Sequence, residues 1–512
     1  MKVFINTDLL SNLASHYLTP LKNDDFFKKI INNTKFSLWV SASSVQAVLN
    51  DLLKHPEIPE GNAVYNFIKK HFSIIPLRRS IFENALQQKG MDLETRINIA
   101  SAISFKIDYI LTNNKSIFAD VDIPVLTPEE LLENDSPWKI KEVPFLDLKA
   151  HQHLVYNEID DRLYDIITNT GFVLGKHVDE FEKRFAALQE AKYALGVSSG
   201  TDALHVALMA LGIGAGDRVV VPVNTFIATA EAVSLTGATP VFVDCDRYNN
   251  IDIKQLEMLF TDAVNNNIKF PAAVIPVHLY GQPANMKRLM ELSEKFGFYL
   301  VEDCCQAHLA SLNNKKVGNF GAFGAFSFYP GKNLGAYGEA GAIVTNDENL
   351  YKKAKMLRQH GELTRYNHEV IGHNYRMAAI QGAVLAAKLD HLAQWTQKRK
   401  KNARLYNDFL TDLKGVKTPV EFEPESSVYH LYVIETDNRD RLQKHLQENN
   451  IATGLHYPVP LHLQKAYASL NYSQGDFPCA EEKSKKILSL PMYPELDENQ
   501  IEFVCNKIRQ CL

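Results

Sequence analysis

From Val143 onward, short β-branched runs alternate with amphipathic stretches, and this alternation does most to restrict the fold. "YALGV" at 193–197, "RVVVP" at 218–222, "TPVFVDC" at 239–245, "AAVIPVHLY" at 272–280 and "YLVED" at 299–303 have the composition of strands. "TDALHVALMALG" and "NMKRLMELSEKFG" between them space their apolar residues as a helix does. Strands separated by helices need crossover connections, so the expected sheet is mostly parallel with helices on its faces. In such a sheet, ligands gather at the carboxyl ends of the strands. Polar residues that directly follow a strand are therefore the candidates. A long helix, "KLDHLAQWTQKRKKNARLYNDFL", then leads into a mixed strand and helix part.

At 512 residues the chain exceeds one ordinary domain. Of its 25 glycines only Gly61 and Gly90 fall before residue 143, and all six cysteines come after it. Between the two regions, "LLENDSPWKIKEVP" is polar and carries Pro137 and Pro144, as a linker does. The expected division is a domain at 1–135, a linker at 136–142, a large domain at 143–394 and a small C-terminal domain at 395–512. A net charge of −5 argues against a polyanion as partner. "MKVFINTDLLSNL" lacks the features of a secretory signal, and "FSLWVSASSVQAVL" is too short and too serine-rich to span a bilayer. Six cysteines without a signal fit reduced thiols in the cytoplasm. There is no C-x-x-C pair, so no metal site is expected, and Cys304 and Cys305 are expected as buried thiols.

The stretch "AFSFYPGKNLGAYGEAGAIVT", at 325–345, sets Lys332 between an aromatic strand and a glycine-rich turn. "VEDCCQAHLA" puts Asp303 at a strand end, where a buried carboxylate needs a cationic partner. That partner is an arginine or the protonated ring nitrogen of pyridoxal phosphate. "VSSGTDALHVALMALG" passes from strand through Ser-Ser-Gly-Thr into helix, and a helix start opened by Gly200 suits a phosphate. The plain alternative is a helix capped by Ser199 or Thr201. A lysine, a strand-end acid and a helix-start anion site together match the needs of a lysine-bound cofactor.

Residues 143–512 resemble the DegT/StrS-like sugar-nucleotide aminotransferases, α/β enzymes of the fold-type-I pyridoxal-phosphate class. The resemblance rests on "VPFLDLK", "SSGTDALH", "VPVNTFIATAEA", "VEDCCQAH", "SFYPGKNLGAYGEAG", "GHNYRMAAIQGAV" and "HYPVPLHLQKAY", in that order. It implies that Lys332 is the Schiff-base lysine and that Asp303 pairs with the pyridine nitrogen. Gln306 would lie beside the phenolic oxygen and Phe226 on the ring. Thr201, Asp202 and Ser327 would hold the phosphate. It implies further a homodimer in which Asn374 completes the partner's site, a keto-sugar nucleotide as acceptor, and an amino-acid donor, L-glutamate. His456 and His462 are the candidate substrate contacts, weighed against a structural role. His308 is unassigned, because Leu309 stands where the family has glycine. Two alternatives use the same fold: a sugar dehydratase, which has histidine in place of the lysine, and a non-enzymatic cofactor-binding regulator.

Residues 1–133 resemble a PIN domain through "KVFINTDLLSNL", "WVSASSVQAVLNDL", "DLETRINIASAISFKIDYILTNNKSIF" and "IPVLTPEELLE". PIN ribonucleases hold divalent metal with carboxylates. At the matching positions stand Asn6, Ala47, Thr95 and Asn114, none of them acidic. The expectation is a PIN-like α/β domain without nuclease activity and without a nucleic-acid partner. A shifted metal site built from Asp8, Asp92 and Glu94 is the counter-reading.

Overall fold

The computed structural model describes residues 1–512 except 19–28, 32, 34–35, 53, 55–60, 120, 134–139, 141, 151, 267 and 424–425. Most of the expected linker at 136–142 lies outside the described residues. The chain divides into two compact units, Met1–Lys139 with Lys149–Asp160, and Ile140–Leu148 with Asp161–Leu512. No helix among the described residues is long and apolar enough to cross a membrane.

The first unit is built on five parallel strands, β1 (Lys2–Ile5), β2 (Ser37–Ser41), β3 (Ser73–Ile75), β4 (Tyr109–Leu111) and β5 (Val125–Leu126). Their order across the sheet is β3-β2-β1-β4-β5. Residues 149–160 belong here because Tyr156 packs its ring edge-on to Trp39 at 5.4 Å, and Asn157 accepts a hydrogen bond from the Ile74 amide at 3.0 Å. This return of the chain is invisible to a boundary drawn on glycine content.

The carboxyl ends of β1, β2 and β4 converge on a polar cluster centred on Asn98, which is 1% exposed. Asn98 Oδ1 accepts from Ser41 Oγ at 2.6 Å and Ser44 Oγ at 3.1 Å. Its Nδ2 donates to Asn6 Oδ1 at 3.0 Å and Thr7 Oγ1 at 3.2 Å. Asp8 accepts from Asn6 Nδ2, Thr112 Oγ1 and the Asn113 amide, and Thr7 Oγ1 donates to Glu94 at 2.5 Å. Of the positions singled out in the sequence, Asn6, Asp8 and Glu94 reach this cluster. Asp92 instead caps the helix Leu93–Ser104 by accepting from the Thr95 amide and hydroxyl. Ser41, Ser44 and Asn98 were not expected there.

The second unit carries a seven-stranded sheet. In chain order its strands are β6 (Tyr193–Val197), β7 (Arg218–Pro222), β8 (Thr239–Val243), β9 (Ala273–Val274) and β10 (Tyr299–Asp303). After the small hairpin of β11 (Ser311–Leu312) and β12 (Lys315–Lys316) come β13 (Phe323–Ser327) and β14 (Gly341–Thr345). The order is β6-β14-β13-β10-β9-β7-β8, and β14 alone runs antiparallel to its neighbours. All five strand expectations fall on strands. "AAVIPVHLY" yields only the short β9, because Pro276 has no amide to donate and carries the pairing on through its carbonyl, which accepts from Asp303. A second hairpin, β15 (Glu362–Thr364) with β16 (Asn367–His368), precedes the 32-residue helix Ala379–Leu410. The expected boundary at 394–395 falls inside this helix. Beyond it, β17 (Tyr432–Glu435) pairs antiparallel with β18 (Ile487–Leu490), and the helix Glu498–Cys511 shares a core with Tyr406 and Leu410.

Asn98→Ala leaves the buried Ser41, Ser44 and Asn6 groups short of partners, which costs about 2 kcal/mol. Amide hydrogen exchange in β1 and β2 of the full chain should then quicken by roughly 30-fold. Unchanged exchange would mean that the network does not hold this sheet together.

Candidate active site

The site grows from the end of β10, where successive side chains face opposite ways. Glu302 is fully buried and turns into the protein. Its carboxylate accepts from the amides of Gly318, Phe320 and Gly321 at 2.7, 2.7 and 2.8 Å, and from His278 Nε2 at 3.1 Å. The Ala284 amide donates to His278 Nδ1, so the imidazole carries its proton on Nε2. Asp303 takes the other face and lines a cavity of about 760 Å³. Thr229 Oγ1 donates to its Oδ2 at 2.8 Å and the Cys305 amide to its Oδ1 at 3.1 Å, which leaves lone pairs for one further N–H donor.

Lys332 enters the same cavity from the turn after β13. The turn closes through Lys332 N to Tyr329 O and Ala336 N to Phe328 O, both at 2.8 Å. It depends on Gly335, where a Cβ would lie 2.3 Å from the Pro330 carbonyl oxygen. Burial lowers the Lys332 pKa, opposed by Cys305 and Asp303. Burial and the nearby lysine also push His308 down to about 3 and His456 down to about 4. The same causes hold His430 well below its usual value. The three imidazoles are therefore neutral near pH 7, and burial favours the free amine of Lys332 beside them.

Opposite the lysine, the helix Gly200–Ala210 begins at Ser199, which accepts from the Asp202 amide at 3.1 Å. Gly200, Thr201 and Ser327 line the cavity there. A Cβ on Gly200 would lie 2.7 Å from Ser327 Cβ and 2.9 Å from Cys305 Sγ, so only glycine lets the helix start meet the sheet. Backbone amides at a helix start, with a hydroxyl beside them, form a seat for a phosphate dianion. Phe226 precedes the helix Ile227–Leu235 and keeps 53% of its surface exposed, so its flat face is free to stack. Gln306 accepts from the Tyr280 amide at 2.7 Å and donates to the Tyr457 hydroxyl at 3.1 Å. This donor set suits pyridoxal phosphate: a phosphate seat, an aromatic face, a carboxylate for the ring nitrogen and an amine for the aldehyde.

Of the residues expected from the sequence, Thr201, Phe226, Asp303, Gln306, Ser327, Lys332 and His456 share this cavity. Three do not. The Asp202 carboxylate accepts from Ser198 Oγ at 2.5 Å. Asn374 is exposed, with its Oδ1 accepting from Arg376 Nε. His462, expected as a substrate contact, is instead 3% exposed and paired with Glu481 at 2.9 Å. The cavity also holds residues that the sequence reading passed over: Thr229, Glu339, His430 and Tyr457. Thr225 precedes the cap of this helix, and its hydroxyl meets that of Thr229 at 3.0 Å, a spacing of four visible in "NTFIAT". Tyr457 directly follows His456. No sequence signal marks His430.

Comparison with known proteins agrees with this geometry. The chain belongs to the DegT/DnrJ/EryC1/StrS aminotransferase family, which matches residues 154–509. These aminotransferases depend on pyridoxal phosphate. The chain is 42% identical over 371 residues to a pleiotropic regulatory protein of Geobacillus stearothermophilus, covering 72% of this chain and 98% of that one. It is 42% identical to the dTDP-3-amino-3,4,6-trideoxy-alpha-D-glucose transaminase of Streptomyces venezuelae, covering 72% and 96%. It is 41% identical to the UDP-N-acetyl-3-dehydro-alpha-D-glucosamine 3-aminotransferase of Acidithiobacillus ferrooxidans, covering 72% and 98%. Among solved structures, S. venezuelae DesV aligns with a TM-score of 0.68 at 41% identity, over 72% of this chain and 98% of that one.

Gly200→Ala should weaken pyridoxal phosphate binding by about tenfold or more, because overpacking at this contact costs ~1–3 kcal/mol. Titrating the cofactor-free protein measures it, with its thermal unfolding as the control. Undiminished affinity would remove the helix start from the phosphate seat.

Proposed function

We propose that this chain moves the amino group of L-glutamate to the C3 ketone of a dTDP- or UDP-linked keto sugar. The product would be an amino sugar for a surface polysaccharide or a glycosylated metabolite, made in the cytoplasm. One observation carries the reading: Lys332 Nζ shares one cavity with the Asp303 carboxylate and the Gly200–Thr201 helix start. The preference for a C3 ketone draws support from two relatives whose names place the amino group or ketone at C3.

Pyridoxal phosphate, when bound, supplies an electron sink for a carbanion next to nitrogen. The chain's own residues do the rest. Asp303 holds a proton on the ring nitrogen by charge. The Gly200 and Thr201 amides and Ser327 fix the phosphate. Lys332 Nζ, with its pKa lowered by burial, takes the proton from the donor's Cα and later returns one to the sugar carbon. Phe226 and Tyr457, with ring centroids 5.6 Å apart, offer an apolar wall to the ring.

The homodimer belongs to this proposal. Asn374 lies outside its own cavity, and the apolar side chains of Tyr164, Ile167, Phe172 and Val173 are exposed. Asn374 would then complete the partner's site. A regulator that binds cofactor without turnover is the second reading, favoured by the name of the Geobacillus relative. The dehydratase reading is disfavoured by Lys332 itself.

A coupled assay with glutamate and a panel of 3-keto and 4-keto dTDP- and UDP-sugars tests both readings. Amination of a 3-keto sugar is expected, reduced by about 10³-fold in Lys332→Ala. Borohydride should fix the cofactor on Lys332 in the wild-type protein. A label on another lysine would overturn the assignment, and no turnover on any ketone would leave the regulator.

For the first unit the proposal is a PIN-like fold without nuclease activity, supported by its parallel sheet and the amide-and-hydroxyl cluster at Asn98. The full chain, incubated with structured and unstructured RNA plus manganese, should leave both intact. Cleavage that disappears in Asp8→Asn would make the chain bifunctional.

A further inference from the structure

Away from the lysine cavity, the chain leaving β8 brings Asp244 and Cys245 against the start of the helix Pro478–Lys486. Asp244 Oδ2 accepts from the Cys479 amide and Oδ1 from the Ala480 amide, both at 2.9 Å, and Oδ1 also accepts from the Cys245 amide at 2.8 Å. This cap holds Cys479 Sγ 3.8 Å from Cys245 Sγ, although the two lie 234 residues apart in sequence. With the carboxylate engaged by three backbone donors, only two sulfurs remain, too few for a tetrahedral metal site.

The two thiols differ in setting. Cys245 is 1% exposed, whereas Cys479 is half-buried and lines a separate cavity of about 390 Å³ together with Arg247, Glu482 and Lys483. Cys479 occupies the first turn of its helix, where the backbone dipole favours a thiolate. The hydrogen bond from Cys245, aided by Lys483, lowers its pKa, while the Cys245 thiol is held well above its usual value. One sulfur is thus an accessible nucleophile, and the other stands behind it as the resolving group.

We propose that Cys479 and Cys245 form a reversible dithiol–disulfide site that reacts with peroxide. The Cys479 thiolate attacks one oxygen of hydrogen peroxide, the O–O bond breaks and hydroxide leaves, so that Cys479 becomes a sulfenic acid. That hydroxide takes the Cys245 proton and forms the first water. The Cys245 sulfur then attacks Cys479 Sγ and expels hydroxide, which takes a solvent proton and forms the second water. In sum two thiols and one peroxide give one disulfide and two waters, the sulfurs losing the two electrons that the peroxide gains. The sulfurs need to close by less than about 2 Å to reach disulfide distance. The oxidised form would fasten β8 to the segment that leads from Tyr457, in the lysine cavity, to the helix Pro478–Lys486. This segment already donates from Leu461 N to Val223 O at 2.9 Å.

Treating the intact holoprotein with hydrogen peroxide, then counting thiols after unfolding and mapping non-reduced peptides, tests the proposal. The expected result is a fall from six thiols to four, a Cys245–Cys479 cross-linked peptide, and recovery of both thiols with dithiothreitol. In Cys245→Ser, dimedone should label Cys479. Oxidation that falls first on Cys304 or Cys305 would overturn the proposal. So would six intact thiols at a peroxide dose that oxidises free cysteine.

Discussion

The buried carboxylate of Glu302 is the contact on which the second unit turns. It accepts three backbone amides and one imidazole proton, so its charge is fully matched inside the protein. Those bonds tie the 318–321 loop and His278 to the end of β10. The strand then has one rotation open to it. Because strand side chains alternate, the next residue, Asp303, must face the cavity. The placement of the cavity's carboxylate thus follows from a neighbour that lies outside the cavity.

Much of this unit was legible in the sequence, for physical reasons. A strand buried on both faces is written as a short, mostly apolar run, which is why "YALGV", "RVVVP" and "YLVED" stand out. Lys332, Asp303 and Gly200 could be found because each sits at an element end next to small or polar residues with a local reason to be there. His430 and Tyr457 reach the cavity from far along the chain, by packing of β17 and the 456–463 segment, and tertiary approach leaves no local trace. Asp202 and His462 show the converse. Their motifs are intact, yet each side chain finds a nearer partner, Ser198 or Glu481, and turns away.

Boundaries were the least legible feature. Composition changes near residue 142, but Tyr156 and Asn157 fold back into the first unit, because Trp39 needs an aromatic cover and the Ile74 amide needs an acceptor. The expected division at 394–395 falls inside the long helix, which packs Leu385, Leu389 and Leu392 into one core and Ala403, Tyr406 and Leu410 into another.

The Asn98 cluster has a consequence for how the first unit lives in solution. Clustered acids at the edge of a sheet repel one another, and such a sheet folds well only when a cation is at hand. Carboxamides and hydroxyls that satisfy each other have no such requirement. The two acids that remain, Asp8 and Glu94, are already held by neutral donors. The shape of this cluster is therefore kept by directed hydrogen bonds among carboxamides and hydroxyls, with both carboxylates taken up as acceptors.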